Sequence, residues 1–256
     1  MEIRLLGAHD LETRDTRHTC FLIDGHIAVD AGSLVRGLTA NELEGLTAVF
    51  LTHHHFDHTR DIPTLGLVRR HANATLDLWG LAETLAGVHN HMLDGDVYPD
   101  LTRPLSEDPP RFRPQPLAPW SSVRIDGLDI KAIPMPHPLP AVGYIIRPGS
   151  GPAIAITGDT GGDLMPFFRD PMGPQVMLVD MTFPNRLRSL AKLTGHLTPQ
   201  LLRDQVVEAK AAGLRIPRLV GVHRGLGNEE ELIAELAAVR RELGIDLSAG
   251  QPGLVA

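Results

Sequence analysis

The chain has 256 residues, a single cysteine and a formal net charge of −7 at pH 7. This length allows one large α/β domain with a substantial core, the lone Cys20 excludes an intrachain disulfide, and the negative charge argues against a broad surface for duplex nucleic acid. No run reaches the ~18 apolar residues of a membrane span, and the first residues do not resemble a secretion signal. We therefore expect a single domain over residues 1–256, located in the cytoplasm and without a membrane partner.

The first half of the chain is predicted to form strands joined by turns and short helices. Apolar, β-prone runs predict strands at residues 3–6, 20–23, 27–30, 48–51 and 74–79. The spacing of apolar residues predicts helices at 60–71 and 81–88. From His89 to Pro119 regularity fails and prolines are frequent. Because long irregular segments are often functional, we expect the 89–120 segment to be a lid over a site or a contact with a second copy of the chain in a homodimer.

The second half repeats the strand-rich pattern, although the sequence itself has no internal repeat. Strands are predicted at residues 123–125, 128–133, 142–146, 153–157, 176–180 and 218–222. Helices are predicted at 200–212, with Thr198 as N-cap, and at 228–243, with Asn228 as N-cap. Two strand-rich halves that each trail helices predict an α/β protein in which two mixed sheets pack face to face with helices outside.

The stretch from Thr52 to His58 is dominated by histidine and lies in a loop between a predicted strand and a predicted helix. In an extended segment His53 and His55 project to the same side, and Asp57 follows at the turn. Neutral imidazole and carboxylate are ligands that suit zinc and related divalent metals. The spacing suggests two metal ions, while His54 and Phe56 are expected to pack beneath the loop.

Asp30 also follows an apolar strand, at a glycine turn. A carboxylate at a strand end could accept the free ring N–H of a metal-bound histidine and fix its tautomer. We assign this supporting position to Asp30 and, within the histidine loop, to Thr52. For Asp30 the alternative is an aspartate that only forms the turn.

The pattern at His53, His55, Asp57 and His58 resembles the His-x-His-x-Asp-His signature of the metallo-β-lactamase superfamily. The remaining ligand positions of that family are matched in order by His137, Asp159 and His223. The resemblance covers essentially the whole chain and implies the four-layer αββα fold of the family. It also implies two divalent metal ions, with zinc favoured and manganese or iron as alternatives. The implied ligands are His53, His55 and His137 for one ion and Asp57, His58 and His223 for the other, with Asp159 as the bridge.

Three further stretches, at 29–34, 182–186 and 195–199, resemble the class II cyclic-nucleotide phosphodiesterases and their bacterial relatives. The implied reaction is hydrolysis of a small phosphodiester, a 3′,5′-cyclic nucleotide, by a hydroxide that bridges the two metals. The implied catalytic residues are Asp57 and His196. For His196 the reason is that the leaving alkoxide needs a proton or the phosphoryl oxygens need a positive charge. Candidate substrate contacts are His91, Arg186 and Arg224. Phe56 stands where class II members usually carry leucine.

Two other classes of function remain open. The same metals could serve RNA processing or the hydrolysis of a lactone, ester or lactam. RNA processing would call for a long basic, glycine-rich arm, which we do not find in the sequence, and ester or lactam cleavage would not need His196. A metal-binding protein without activity on the same fold is the third alternative, but a scaffold has no need for so complete a ligand set.

Overall fold

The computed structural model describes residues 1–69, 75–104 and 108–253. In these ranges the chain divides into two compact units. The first unit takes Met1–Ala8, Glu12–Ala118 and residues 252–253, and the second takes His9–Leu11 and Pro119–Gln251. Each unit has its own cluster of buried apolar side chains.

The first unit contains a mixed, six-stranded sheet. In sheet order its strands are β1 (Ile3–Gly7), β2 (Cys20–Ile23), β3 (Ile27–Val29), β4 (Ala48–Phe50), β5 (Leu76–Gly80) and β6 (Phe112–Pro116). Strands β1 to β3 form an antiparallel meander, and β3 to β6 pair in parallel. The β2–β3 turn has positive φ at Asp24 (47°) and Gly25 (78°), as a tight hairpin turn of the right twist requires.

The helices of this unit are α1 (Leu34–Gly37), α2 (Ala40–Glu44), α3 (Phe56–Thr59), α4 (Ile62–Val68) and α5 (Ala82–Met92). The helix predicted at 60–71 is present as α4, which is shorter (Ile62–Val68), and α3 is a separate turn of helix before it. Residues 70–71 lie outside the described ranges, as does residue 74 of a predicted strand. The prediction that regularity fails from His89 onward is wrong in two places. Helix α5 continues through His91, and β6 lies inside the segment. Strand β6 tolerates its prolines because it is the edge strand of its sheet.

Helix α2 begins with a reciprocal cap between Thr39 and Glu42, which makes the stability of this unit depend on pH. The Thr39 hydroxyl accepts from the Glu42 backbone N–H at 3.3 Å, and Glu42 Oε2 accepts from the Thr39 backbone N–H at 2.8 Å. The hydrogen bond from the Thr39 backbone and the hydrogen bond from the Arg4 side chain lower the pKa of Glu42 from 4.5 to about 2. The carboxylate therefore stabilises the folded state above pH 4.5, and this stabilisation is lost as the pH falls toward 2.

We expect Glu42→Gln to lower the free energy of unfolding at pH 7 and to have a shrinking effect between about pH 4.5 and pH 2. Urea unfolding at several pH values measures the difference from the wild type. The control is Glu208→Gln, an exposed glutamate on another helix, which should not change the pH dependence. A loss from Glu42→Gln that is the same at every pH would contradict the role of the charge.

The second unit contains a mixed, seven-stranded sheet. In sheet order its strands are β7 (Ser122–Ile125), β8 (Leu128–Met135), β9 (Ala141–Pro148), β10 (Ala153–Ile156), β11 (Pro174–Asp180), β12 (Arg218–Val222) and β13 (Leu247–Ala249). Strands β7 to β10 are antiparallel neighbours, and β10 to β13 pair in parallel. The plan is that of the first unit, a meander followed by parallel strands. The predicted α/β class with two mixed sheets is confirmed.

The helices of the second unit are α6 (Met165–Arg169), α7 (Arg188–Thr194), α8 (Pro199–Ala211) and α9 (Glu229–Leu243). Thr198 caps α8 as predicted, because its hydroxyl accepts from the Leu201 backbone N–H at 3.3 Å. Asn228 occupies the N-cap position of α9, but its side chain makes no cap and instead accepts from Arg186. Within the described ranges, no helix is long and apolar enough to cross a membrane.

Candidate metal centre and its histidine network

In the first unit, polar residues emerge where the parallel strands β3 and β4 end. Asp30 follows β3 and Thr52 follows β4, so the pairing of the two strands brings these residues together. The backbone N–H and the hydroxyl of Thr52 lie 2.8 and 3.0 Å from Asp30 Oδ1. The second carboxylate oxygen, Asp30 Oδ2, lies 2.7 Å from His58 Nδ1, and both side chains are fully buried. Asp30 is therefore placed to accept the ring N–H of a candidate ligand.

The same hydrogen bonds set the tautomers of two candidate ligands. The Thr52 hydroxyl has one proton, which it gives to Asp30, so it accepts from His53 Nδ1 at 3.1 Å. His58 Nδ1 likewise donates to Asp30, and each ring then carries its lone pair on Nε2. His58 Nε2 lies 3.4 Å from Asp57 Oδ2. A ring lone pair that faces a carboxylate oxygen is an arrangement that a bound cation stabilises.

Two residues at strand ends hold a conformation that non-glycine residues seldom adopt. Asp30 has φ 58° after β3, and His223 has φ 60° after β12. The backbone N–H of Asp30 donates to Phe50 at 2.8 Å, which holds the residue in place. Such strain persists only where the surroundings determine it, and it concentrates at functional sites.

In the second unit the same network recurs with Asp180, Thr182, His196 and His223. The backbone N–H and the hydroxyl of Thr182 lie 3.0 and 2.7 Å from Asp180 Oδ1. Asp180 Oδ2 lies 2.8 Å from His196 Nδ1, and the Thr182 hydroxyl lies 2.8 Å from His223 Nδ1. An aspartate and a threonine thus hold two imidazoles by their Nδ1 atoms in each unit. Asp180 and Thr182 were not among the predicted site residues, although Asp180 ends an apolar strand much as Asp30 directly follows one.

The candidate ligands of the second unit are presented in the same way. His223 donates from Nδ1 to Thr182, and its Nε2 lies 3.4 Å from Asp159 Oδ1, with both side chains almost fully buried. His137 Nδ1 lies 3.1 Å from the carbonyl of Gly195, so its lone pair is also on Nε2. Burial lowers the pKa of His137 and keeps the ring neutral, the form that binds metal.

Gly195 is required by this arrangement. Its φ is 73°, and a Cβ at this position would lie 2.6 Å from Pro138 Cδ and 3.0 Å from His137 Nδ1. Gly195 ends α7 and Thr198 begins α8, so the chain between these helices holds His196 beside the ligand candidates.

His196 itself is tied to a buried carboxylate. Burial disfavours the charged ring, but Asp180 outweighs burial and raises the pKa of His196 above 6.5. The ring lies 5.3 Å from that of His223 and 5.4 Å from that of His137, measured between centroids. Asp159, Asp180, His196 and His223 offer ligand atoms that all lie within 4.8 Å of one another.

Two of the candidate substrate contacts, Arg224 and Arg186, already have hydrogen-bond partners within the second unit. Arg224 is only 1% exposed and donates to Glu229 at 2.7 Å and to the carbonyl of Gly250. Its hydrogen-bonding capacity is used inside the second unit, so the prediction that it contacts a phosphate is wrong. Arg186 donates to Glu231 at 2.9 Å and to Asn228 at 2.6 Å, and a phosphate would have to compete with both acceptors.

Two residues expected to pack beneath the histidine loop also differ from each other. Phe56 is 63% exposed, so the prediction that it is buried is wrong. It is the first residue of α3, a single turn of helix. His54 is half-buried against α5, where a Cβ at Gly87 would lie 2.6 Å from its Cγ. Burial, together with the nearby His91, lowers the pKa of His54.

A family model described as a beta-lactamase superfamily domain matches residues 21–224. Among solved structures, an unliganded yeast PDE1 is similar with a TM-score of 0.80 and 18% identity, covering 99% of this chain and 98% of that one. The metallo-beta-lactamase fold protein YhfI from Bacillus subtilis has a TM-score of 0.75 at 17% identity, and the short form of human tRNase Z has 0.72 at 17%; each match covers 100% of this chain and 98% of the other. No curated protein matches the chain. At these identities the structural matches show the fold.

Proposed function

Because this chain belongs to the beta-lactamase superfamily and has the fold of its metal-dependent hydrolases, we propose that it hydrolyses a phosphodiester, with 3′,5′-cyclic nucleotides as the substrate class. One observation carries the choice of phosphodiester. His196 lies beside His137 and His223 and is held through Nδ1 by the buried carboxylate of Asp180.

The physical reason lies in the leaving group. Cleavage of a phosphodiester expels an alkoxide, which departs readily only if it is protonated or bound by a cation. With Nδ1 fixed on Asp180, His196 has its other ring nitrogen, Nε2, to hold a proton for that oxygen. Cleavage of an activated ester makes a weaker demand of this kind, because its leaving group is a stable anion. A lactone or a β-lactam also needs a proton at its leaving oxygen or nitrogen, so the comparison with these two substrates is left to the substrate panel.

We propose that the metal ligands are those implied by the sequence. They are His53, His55 and His137 for one ion and Asp57, His58 and His223 for the other, with Asp159 shared. The support is the chemistry of the donor set, because Nδ1 is hydrogen-bonded in His53, His58, His137 and His223, and Nε2 of His58 and of His223 faces a carboxylate oxygen. When bound, two divalent ions would supply Lewis acidity and would lower the pKa of a bound water toward neutrality. Zinc is the proposed metal, because imidazole with carboxylate suits it.

The structural neighbours include phosphodiesterases and RNases. RNA processing, as the name of human tRNase Z indicates for that protein, is the second candidate, and it differs from our proposal in substrate size and not in the bond broken. The net charge of −7 favours a small substrate over a nucleic acid.

The test is a panel of substrates offered to the purified protein with its bound metal. We expect turnover of a 3′,5′-cyclic nucleotide, and slower or no turnover of a lactone and a β-lactam. Cleavage of a precursor tRNA without turnover of any small phosphodiester would favour RNA processing. Turnover of the lactone or β-lactam alone would contradict the proposal.

A further inference from the structure

A cavity of about 420 Å³ lies in the first unit beside the loop that carries the candidate ligands. Its walls include Phe56 from α3 and Met92, Val97 and Tyr98 from the end of α5 and the segment that follows. The volume is within the ~300–1,000 Å³ of small-molecule sites. In the chain, Phe56 lies between two proposed ligands, and adjacent residues are only ~3.8 Å apart at Cα. The cavity therefore adjoins the loop that carries four of the proposed ligands, although none of these ligands is among its lining residues.

The apolar wall of the cavity is unusually open to solvent. Phe56 is 63% exposed and Val97 is 76% exposed, and both line the same space. Single exposed apolar side chains are ordinary, but several around one cavity mark a binding site. The rings of Phe56 and Tyr98 offer faces on which a flat aromatic group can stack.

The polar part of the wall contains two imidazoles, together with the hydroxyls of Thr59 and Thr64 and the guanidinium of Arg60. His54 and His91 both line the cavity. Nδ1 of His54 is buried and has no hydrogen-bond partner among the described residues. A buried acceptor without a donor is tolerated better than a buried N–H without an acceptor, so the ring N–H of His54 is on Nε2. An N–H of this kind can donate to a ring nitrogen or a carbonyl of a heterocycle. None of the described residues that line the cavity is acidic, so no carboxylate there opposes an anionic nucleotide.

We propose that this cavity binds the planar nitrogenous base of the substrate, with Phe56 as the stacking surface and His54 and His91 as hydrogen-bonding groups. The inference rests on the proposed function, because it assumes that the phosphate is held by the neighbouring ligands. It assigns the end of α5 and the 95–98 segment to the wall of a substrate site.

The test is calorimetric titration of the purified protein, with its bound metal, by adenosine 5′-monophosphate and by ribose 5-phosphate. Both compounds carry the same phosphate on a pentose, and only one carries a base. We expect the nucleotide to bind about tenfold more tightly, within the range for stacking of a base on an aromatic side chain. Phe56→Ala should bring the ratio of the two dissociation constants close to one.

The matched control is Trp120→Ala, which removes an exposed aromatic side chain (54% exposed) that does not line the cavity. It should preserve the tenfold ratio. Equal affinities in the wild-type protein, or a ratio unchanged by Phe56→Ala, would overturn the proposal. A third outcome would also overturn the proposal. If sedimentation shows a dimer that Phe56→Ala converts to a monomer, and the ratio of the two dissociation constants does not change, the cavity is an interface between copies of the chain. The titration measures binding of the base and not hydrolysis. A failure of this proposal therefore appears in the titration, and a failure of the proposed hydrolysis appears in the substrate panel.

Discussion

Replacing His196 by alanine is expected to lower kcat for a 3′,5′-cyclic nucleotide by ~10²–10⁴-fold, the range for loss of a general acid. The loss should be much smaller for bis(p-nitrophenyl) phosphate, because p-nitrophenolate leaves without a proton. Steady-state kinetics on both substrates, with metal analysis of the variant, measure this directly. Metal content should equal that of the wild type. Equal losses on both substrates together with loss of metal would show that His196 is a ligand and not a proton donor.

Asp180→Asn is expected to reproduce part of the same loss. The amide keeps an oxygen for the Thr182 hydroxyl but removes the charge that Asp180 presents to His196 at 2.8 Å. As a residue that positions His196, Asp180 should affect the cyclic nucleotide more than the activated substrate. The control is His26→Ala, a histidine in the β2–β3 turn, which should leave both rates unchanged. A variant of Asp180 that is equally impaired on both substrates would indicate a general loss of structure.

Asp30→Asn is expected to weaken metal binding by ~10–100-fold, as is usual when the hydrogen-bond partner of a metal-bound histidine is changed. Asparagine tolerates the left-handed conformation of residue 30 (φ 58°), so the change tests the carboxylate and not the backbone. Competition with a chromophoric chelator measures the affinity. The matched control is Asp24→Asn, because Asp24 also has positive φ (47°) but lies in a turn. Wild-type metal affinity in Asp30→Asn would contradict the role assigned to Asp30.

Most strands of both sheets could be predicted from the sequence because each is a short apolar run bounded by turn residues. Strand β6 could not be predicted in this way, because it contains Pro114 and Pro116, which are acceptable only on an edge strand. Which strand lies at the edge depends on the order of strands in the sheet, which the sequence does not show. The end of α5 was missed for a related reason. The histidines after Val88 carry no apolar periodicity, although the backbone stays helical to Met92.

The candidate ligands are visible in the sequence because they match a spaced pattern, whereas their supporting residues depend on which strand ends are neighbours. Asp180 and His196 are 16 positions apart and meet only because of the fold. The role of Arg224 was predicted wrongly because it is adjacent to His223 in the sequence, and adjacency does not mean that both side chains face the same site. Successive side chains at a strand end point to opposite sides, and Arg224 is turned toward Glu229.

The most direct test of the account is the hydrolysis of a 3′,5′-cyclic nucleotide by one protein sample in three states: as purified with its metal content determined, after chelation, and after divalent ions are restored. We expect about two equivalents of metal, turnover in the first state, its loss in the second and its return in the third. A rate that persists in fully chelated protein, or a metal-loaded sample that cleaves a lactone or β-lactam and no phosphodiester, would contradict the account.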